Sequence, residues 1–312
     1  MILSNINIKL FKEAYHVYNK TNSSLEEDFQ GFEFYNDIDF KWRRENFLKS
    51  FKNNFFSLLM TSLLIKGCGR ENIVIYSKVI SCIRQIITST DNIIDKENKG
   101  IIFIPKIKNN VVKNVLLTMA SQNLLEDYSV KLCGGNSISR EIINRIHRIA
   151  LAESKRDENQ YILYPTPEYI RDTIHRGIGG ELLEISMIAP KMMENSEVLG
   201  GFSKGLFKIG MGLQALDDLC DIEEDLLDNK VNYAVSKLIL AGDSLEELKK
   251  NPGIVPDDSF ITAYTKEVLE DTLEGFKYLR ENGFPLTKGD VDILLKHLFK
   301  IRGLDKFYRL AS

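Results

Sequence analysis

The stretch LQALDDLCDIEED, residues 213–225, sets Asp217, Asp218, Asp221, Glu223, Glu224 and Asp225 within nine positions. It follows an apolar run, FSKGLFKIGMGLQAL, residues 202–216, whose spacing predicts a buried helix. In helical register Asp217 and Asp221 share a face one turn apart, with Cβ atoms about 5–6 Å from each other. At an effective dielectric near 20, two such carboxylates repel by about 3 kcal/mol. Either the acids are a solvated face where a helix leaves the core, or they hold a cation. Gly205, Gly210 and Gly212 suit a helix packed closely against neighbours, so the acids emerge at the end of a tightly packed element.

A second acidic pair stands upstream. Residues 91–95 read DNIID, and Asp91 and Asp95 also fall one turn apart if the helix from Val74 continues. Lys96 and Lys99 are near enough in sequence to neutralise them, which leaves a solvated helix end as the alternative reading. Two aspartate pairs, each ending an apolar helix, invite the expectation that they face one another across a cavity and take Mg²⁺. That ion accepts one or two carboxylates and completes its octahedron with water and phosphate oxygens.

These helices belong to a chain that reads as helical throughout. Apolar residues from Phe47 to Ser89 recur at three-to-four spacing around a KGCGREN break at 66–72. Further helices are expected near 4–19, 110–133, 138–160, 166–189, 198–226, 231–240, 258–281 and 288–301. Thr166, Pro167 and Glu168 form a strong start signal. GFEFYNDIDF, residues 31–40, reads as a loop or short ordered insert, and NKGIIFIPKIKNN, residues 98–110, as a surface connection. No convincing set of strands appears. The expectation is a single all-α domain spanning 1–312, a helical bundle around a central apolar cavity.

The segment QALDDLCDIEEDLLDNK, residues 214–230, resembles the second aspartate-rich motif of the trans-isoprenoid diphosphate synthases and of the class I terpene synthases that share their fold. Gln214, Asp217, Asp218 and Asp221 occupy the motif positions, and Lys230 its terminal lysine. SCIRQIITSTDNIID, residues 81–95, resembles the helix of the first motif, with Asp91 and Asp95 as its outer acids and Asn92 in place of the middle one. EYIRDTIHRGIGGELLEIS, residues 168–186, resembles the helix that carries Lys-Thr in synthases, with Arg176 at the lysine position.

The resemblance implies three Mg²⁺ ions held by Asp91, Asp95, Asp217, Asp218 and Asp221. Arg176, Lys230, Arg84 and Gln214 bind the diphosphate of a linear prenyl substrate, and a homodimer is expected. Asp91, Asp95, Asp217 and Arg176 are the expected catalytic residues. Cation charge stabilises the leaving oxygens as the carbon–oxygen bond breaks.

Departures from the elongating pattern shape the functional expectation. LKSFKNNFFSLLM, residues 48–60, offers Lys49 and Lys52 where elongases carry Gly-Gly-Lys-Arg. KENKG, residues 96–100, lacks their paired arginines, and Arg84 replaces their histidine. One diphosphate site is expected, which favours a terpene synthase that cyclises its substrate. The alternatives are a prenyltransferase condensing an allylic diphosphate with isopentenyl diphosphate, and a non-catalytic partner subunit of such a synthase.

Other residues have a plain packing role as the alternative to a functional one. The glycines of RGIGGE, residues 176–181, suit close helix packing, or a kink that exposes a carbonyl to the cavity. Phe55, Phe56, Phe202, Phe207 and Tyr233 are core, or line a cation-stabilising pocket. Glu153 and Asp157 form a solvated face, or approach the site, and Tyr308 with Arg309 resembles a cyclase terminal pair. His16, His147, His175 and His297 show no metal spacing.

Composition bounds the rest. The 312 residues carry a formal net charge of −3, with 44% hydrophobic and 27% charged residues, which gives no global electrostatic case for nucleic acid. Four cysteines without a CxxC pair fit a reduced, cytoplasmic setting. No run approaches the ~20 apolar residues of a membrane span, so no stable membrane insertion is expected.

Overall fold

The computed structural model describes residues 8–194, 196–253, 256–301 and 304. Its helices, in chain order, open with α1 (Ile8–Phe29), α2 (Phe47–Asn53), α3 (Phe55–Gly67), α4 (Ile73–Ile94), α5 (Asn110–Cys133) and α6 (Ser137–Ser154). Then come α7 (Pro167–Tyr169), a π-helix over Ile170–Gly180, α8 (Glu181–Glu184), α9 (Ile188–Met193) and α10 (Glu197–Cys220). The chain continues with α11 (Ile222–Leu227), α12 (Tyr233–Ala241), α13 (Leu245–Lys250), α14 (Asp258–Glu281) and α15 (Lys288–Ile301). The protein is all-α, as the periodicity predicts. The expected spans 110–133, 258–281 and 288–301 match α5, α14 and α15 at both ends.

Local chemistry sets many of these boundaries. Asn46 caps α2, Asn109 caps α5 and Asp257 caps α14, each accepting a backbone N–H of the first turn. Helix α5 ends on Gly134 at φ 70°, the left-handed position that favours glycine.

The chain divides into two compact units. The first comprises the described residues of Asn7–Ile142 and Ser186–Leu199. In it α4 packs along α5, α1 and α3, and Phe11, Leu25, Phe29, Leu58, Leu59, Tyr76 and Tyr128 are fully buried. Each such side chain contributes about 1.5–3 kcal/mol relative to exposure. The second comprises the described residues of Ile143–Ile185 and Gly200–Ser312. Its core includes Phe202, Leu206, Ile209, Leu216, Val235, Tyr264 and Phe276.

One local feature departs from the sequence expectation. The insert and the connection on either side of α4 pair as two short antiparallel strands, β1 (Asp39–Phe40) and β2 (Ile102–Phe103), with Asp39 opposite Phe103. Periodicity does not reveal two-residue strands some sixty positions apart. Their pairing matters because the Lys41 N–H then donates to the Ile101 carbonyl at 2.9 Å, which fixes Lys41 beside the end of α4.

Candidate functional site

In the first unit the site grows from the C-terminal turn of α4. Tyr76, Val79, Ile83, Ile86 and Ser89 face the core, so Asp91 and Asp95, on the outer face, are exposed. The Asp95 N–H donates to the Asp91 carbonyl at 2.8 Å, closing the last turn. Lys96, at φ 55°, then turns the chain away.

Asn92 lies between them and is 2% exposed. Its amide nitrogen donates to the Lys99 carbonyl at 2.8 Å and to Asn114 Oδ1 at 3.2 Å. Its amide oxygen accepts the Lys99 N–H at 2.8 Å. Asn110 reinforces the loop by donating to the carbonyls of Asn92 at 2.8 Å and Glu97 at 2.9 Å. An ionised aspartate only accepts hydrogen bonds and cannot close this two-way clamp. That is the physical reason for an amide at the middle position of the motif.

The clamped loop bounds a cavity of about 400 Å³. Asp91, Asp95 and Arg84 line it together, as do Lys41, Glu45, Asn53, Asn54, Glu97 and Lys99. Arg84 donates to Asn54 Oδ1 and Ser57 Oγ, both at 2.9 Å, so its guanidinium is held in place. Glu45 accepts from Asn54 Nδ2 at 2.6 Å and Asn53 Nδ2 at 2.8 Å. The Lys41 ammonium sits 4.0 Å from the Phe103 ring centroid, and Lys99 pairs with Glu97. Lys49 and Lys52, the early-helix cations of the sequence reading, are exposed and do not line this cavity. Lys41 and Glu45 escaped that reading, because only strand pairing and the Asn54 contact bring them here.

In the second unit the acids after α10 sort into inward and outward sets. Asp218 is 2% exposed. Its Oδ2 lies 2.9 Å from His175 Nε2 and accepts the Tyr233 N–H at 2.8 Å, while Oδ1 accepts from Gln214 Nε2 at 3.4 Å. Burial works against its charge, yet His175 and Arg156 hold its carboxyl below the usual range. Asp218 was expected as a metal ligand. It is instead an internal anchor whose oxygens are already committed, and Gln214 supports it.

Asp225 is buried as well, accepting from Arg156 at 2.7 Å and Asn232 Nδ2 at 2.8 Å. Burial pushes its carboxyl up to about 6. By contrast Asp217 is half-buried, and Asp221, at the break between α10 and α11, is exposed. The Asp221 N–H donates to the Asp217 carbonyl at 2.9 Å, so the two remain one turn apart.

Two of the cations expected to bind the diphosphate, Lys230 and Arg176, belong to the second unit. Lys230 Nζ lies 3.2 Å from Asp228. The exposed Arg176 guanidinium lies 5.2 Å from the Phe207 ring centroid. Thus Phe207 partners an arginine, while Phe55 and Phe202 are core and the Tyr233 hydroxyl donates to Glu267. Glu153, 3.6 Å from Arg156, and Asp157, which caps a short turn, are both exposed, as a solvated face requires. Tyr308 and Arg309 lie outside the described residues.

The RGIGGE stretch resolves as close packing within a widened turn. A Cβ on Gly210 would sit 2.0 Å from the Gly179 oxygen, and one on Gly179 would sit 2.3 Å from the Gly210 oxygen. Only glycine at both positions lets the π-helix and α10 approach this closely. The Gly179 carbonyl is directed at α10.

The donor chemistry of both pairs suits Mg²⁺, carboxylate oxygens one turn apart, and the first pair lines a cavity with room for water and phosphate. Among the described residues no three His, Cys, Asp or Glu side chains gather closely enough to hold a metal by themselves. No helix among them is long and apolar enough to cross a membrane.

No family model matches the chain, and no curated protein matches it. Solved structures do. A decaprenyl diphosphate synthase from Rhodobacter capsulatus superposes with a TM-score of 0.57 at 16% identity, covering 97% of each chain. A geranylgeranyl pyrophosphate synthetase from the archaeon Geoglobus acetivorans gives 0.53 at 15% identity, over 97% of this chain and 98% of that one. The geranylgeranyl pyrophosphate synthetase of Pyrococcus horikoshii Ot3 gives 0.53 at 16%, over 96% and 92%. The chain therefore has the all-α fold of these synthases, the fold implied by the motif resemblance.

Proposed function

We propose that this protein is a Mg²⁺-dependent prenyltransferase, which ionises an allylic prenyl diphosphate and passes the allylic cation to an acceptor. The observation that carries the reading is the cavity in which Arg84, Lys41 and Lys99 stand with Asp91 and Asp95. It joins a guanidinium held in place and two lysine ammoniums, groups for phosphate oxygens, to a carboxylate pair for a metal. Fold neighbours that are prenyl diphosphate synthases support transfer over cyclisation.

Asp91 with Asp95 in the first unit would hold Mg²⁺, and Asp217 with Asp221 in the second offer a like pair of carboxylates. When bound by such a pair, Mg²⁺ would supply positive charge to the diphosphate oxygens, and the electron pair of the breaking carbon–oxygen bond would leave with the diphosphate. Arg84, oriented by Asn54 and Ser57, donates to the same class of oxygen without rearranging. The π electrons of the acceptor form the new carbon–carbon bond, and the cation so formed gives up a proton to the departed diphosphate.

Cyclisation is the second reading, and a specific observation favours it. Glu45, Asn53 and Asn54 form part of the cavity wall, a carboxylate and two amides where a second diphosphate calls for cations. Incubation with allylic diphosphates of ten to twenty-five carbons and Mg²⁺, with and without isopentenyl diphosphate, separates the two by mass spectrometry. Lengthened diphosphates formed only in the mixture support transfer. A cyclic hydrocarbon or alcohol from one substrate alone replaces transfer by cyclisation.

A further inference from the structure

Arg156 follows α6 in a loop to which neither motif extends, and its side chain is only 14% exposed. One guanidinium nitrogen donates to Asp225 Oδ2 at 2.7 Å and lies 3.8 Å from Asp218 Oδ1. Its carbonyl accepts the Val231 N–H at 2.6 Å, and the backbones of Asp157 and Lys230 pair beside it as an isolated antiparallel bridge. Asn232 ties the same two acids together, donating from Nδ2 to the Asp218 carbonyl at 2.7 Å and to Asp225 Oδ2 at 2.8 Å. Arg156 therefore grips the segment after the helix break through both backbone and side chain.

We infer that Arg156 is a positioning residue for the second acidic motif: it holds Asp218 and Asp225 inward and so leaves Asp217 and Asp221 as the outward pair. This rests on the reading that Asp217 and Asp221 serve a metal and a diphosphate. Two carboxylates this close are kept out of water only when a cation and hydrogen bonds compensate them. Without the guanidinium they turn towards solvent, and the break that separates α10 from α11 loses its anchor. The planar fork matters as well as the charge, because Nε donates to the Val231 carbonyl at 3.5 Å while a terminal nitrogen faces both acids, and a lysine ammonium cannot hold both ends of that arrangement.

The sign of the effect separates positioning from a simple field. A cation behind an acidic motif repels Mg²⁺, so by field alone its removal strengthens metal binding. Positioning demands the opposite.

The test titrates inorganic pyrophosphate into the purified full-length protein in saturating Mg²⁺, followed by calorimetry, with circular dichroism and melting recorded alongside. Arg156→Lys and Arg156→Met are expected to keep the helical spectrum and to bind at least tenfold more weakly than wild type. Arg156→Lys keeps a cation against the buried acids, so it carries the test where Arg156→Met does not fold. A folded variant that binds within twofold of wild type, or more tightly, overturns the positioning role. Wild-type protein that binds no pyrophosphate in Mg²⁺ overturns instead the site reading on which it rests.

Discussion

Replacing Asn92 by Asp puts a third acid between Asp91 and Asp95 and is expected to damage the protein. The side chain is buried and makes two donated bonds and one accepted bond, all to the loop or to α5. An ionised carboxylate keeps only the bond accepted from Lys99 N–H. It turns a negative oxygen on the Lys99 carbonyl and on Asn114 Oδ1. Each buried acceptor left without its donor costs about 1–3 kcal/mol, and the desolvated charge adds to this. A loss of about 3–5 kcal/mol is expected, a large share of the ~5–15 kcal/mol that stabilises a typical domain.

The sign of the pH dependence follows. Burial raises the new carboxyl's folded pKa above its unfolded value, so the folded state binds the extra proton more tightly. Relative to wild type, Asn92→Asp therefore loses stability as pH rises through the folded pKa and recovers it as pH falls. Urea unfolding of both proteins between about pH 4 and 8 measures the difference. An Asn92→Asp variant within ~1 kcal/mol of wild type at pH 8, or with no pH trend, refutes the clamp.

The two sets of acids in the second motif should separate by stability. Asp218→Ala breaks a buried charge pair and is expected to cost about 3–5 kcal/mol in urea unfolding, whereas Asp221→Ala leaves the midpoint nearly unchanged. Equal losses would erase the distinction between inward and outward acids. Gly179→Ala places a Cβ 2.3 Å from the Gly210 oxygen, which is backbone and cannot swing away. Overpacking of about 1–3 kcal/mol or more should lower the melting temperature, and an unchanged melt would mean the helices do not approach as described.

Cys133 is exposed, and its bond to the Ser137 hydroxyl leads the contacts that bring its thiol down to about 7. Its alkylation by iodoacetamide should rise with pH to a midpoint near 7, while Cys68, pushed up by burial to about 12, stays unmodified. Peptide mass spectrometry checks the order, and a Cys133 midpoint above 8.5 contradicts it.

Fold class and most long helices were legible because core-facing positions recur at helical spacing over many turns, as in α5 and α14. The outward acids were legible for the same reason: Asp91 with Asp95, and Asp217 with Asp221, sit one turn apart at the end of an apolar helix. What sequence spacing does not encode is rotation of those acids about the helix axis. Asp218 adjoins Asp217, yet it points to His175, a residue without any spacing signal. Arg156 and Asn232, its other partners, are distant in the chain. Asn92 stands in sequence only as an amide in place of an acid, and its clamp on Lys99 is a tertiary contact that spacing does not show. Lys41 reaches the cavity through a two-residue strand, too short to leave a period.

The central claim is that outward aspartates hold Mg²⁺ on a prenyl diphosphate. Its most direct measurement is turnover of an allylic diphosphate by Asp91→Ala, with the helical spectrum recorded in parallel. The account predicts a spectrum and melt like wild type with product reduced at least a hundredfold, on the order of 3 kcal/mol of transition-state stabilisation. A folded Asp91→Ala protein that turns over substrate at the wild-type rate would contradict it.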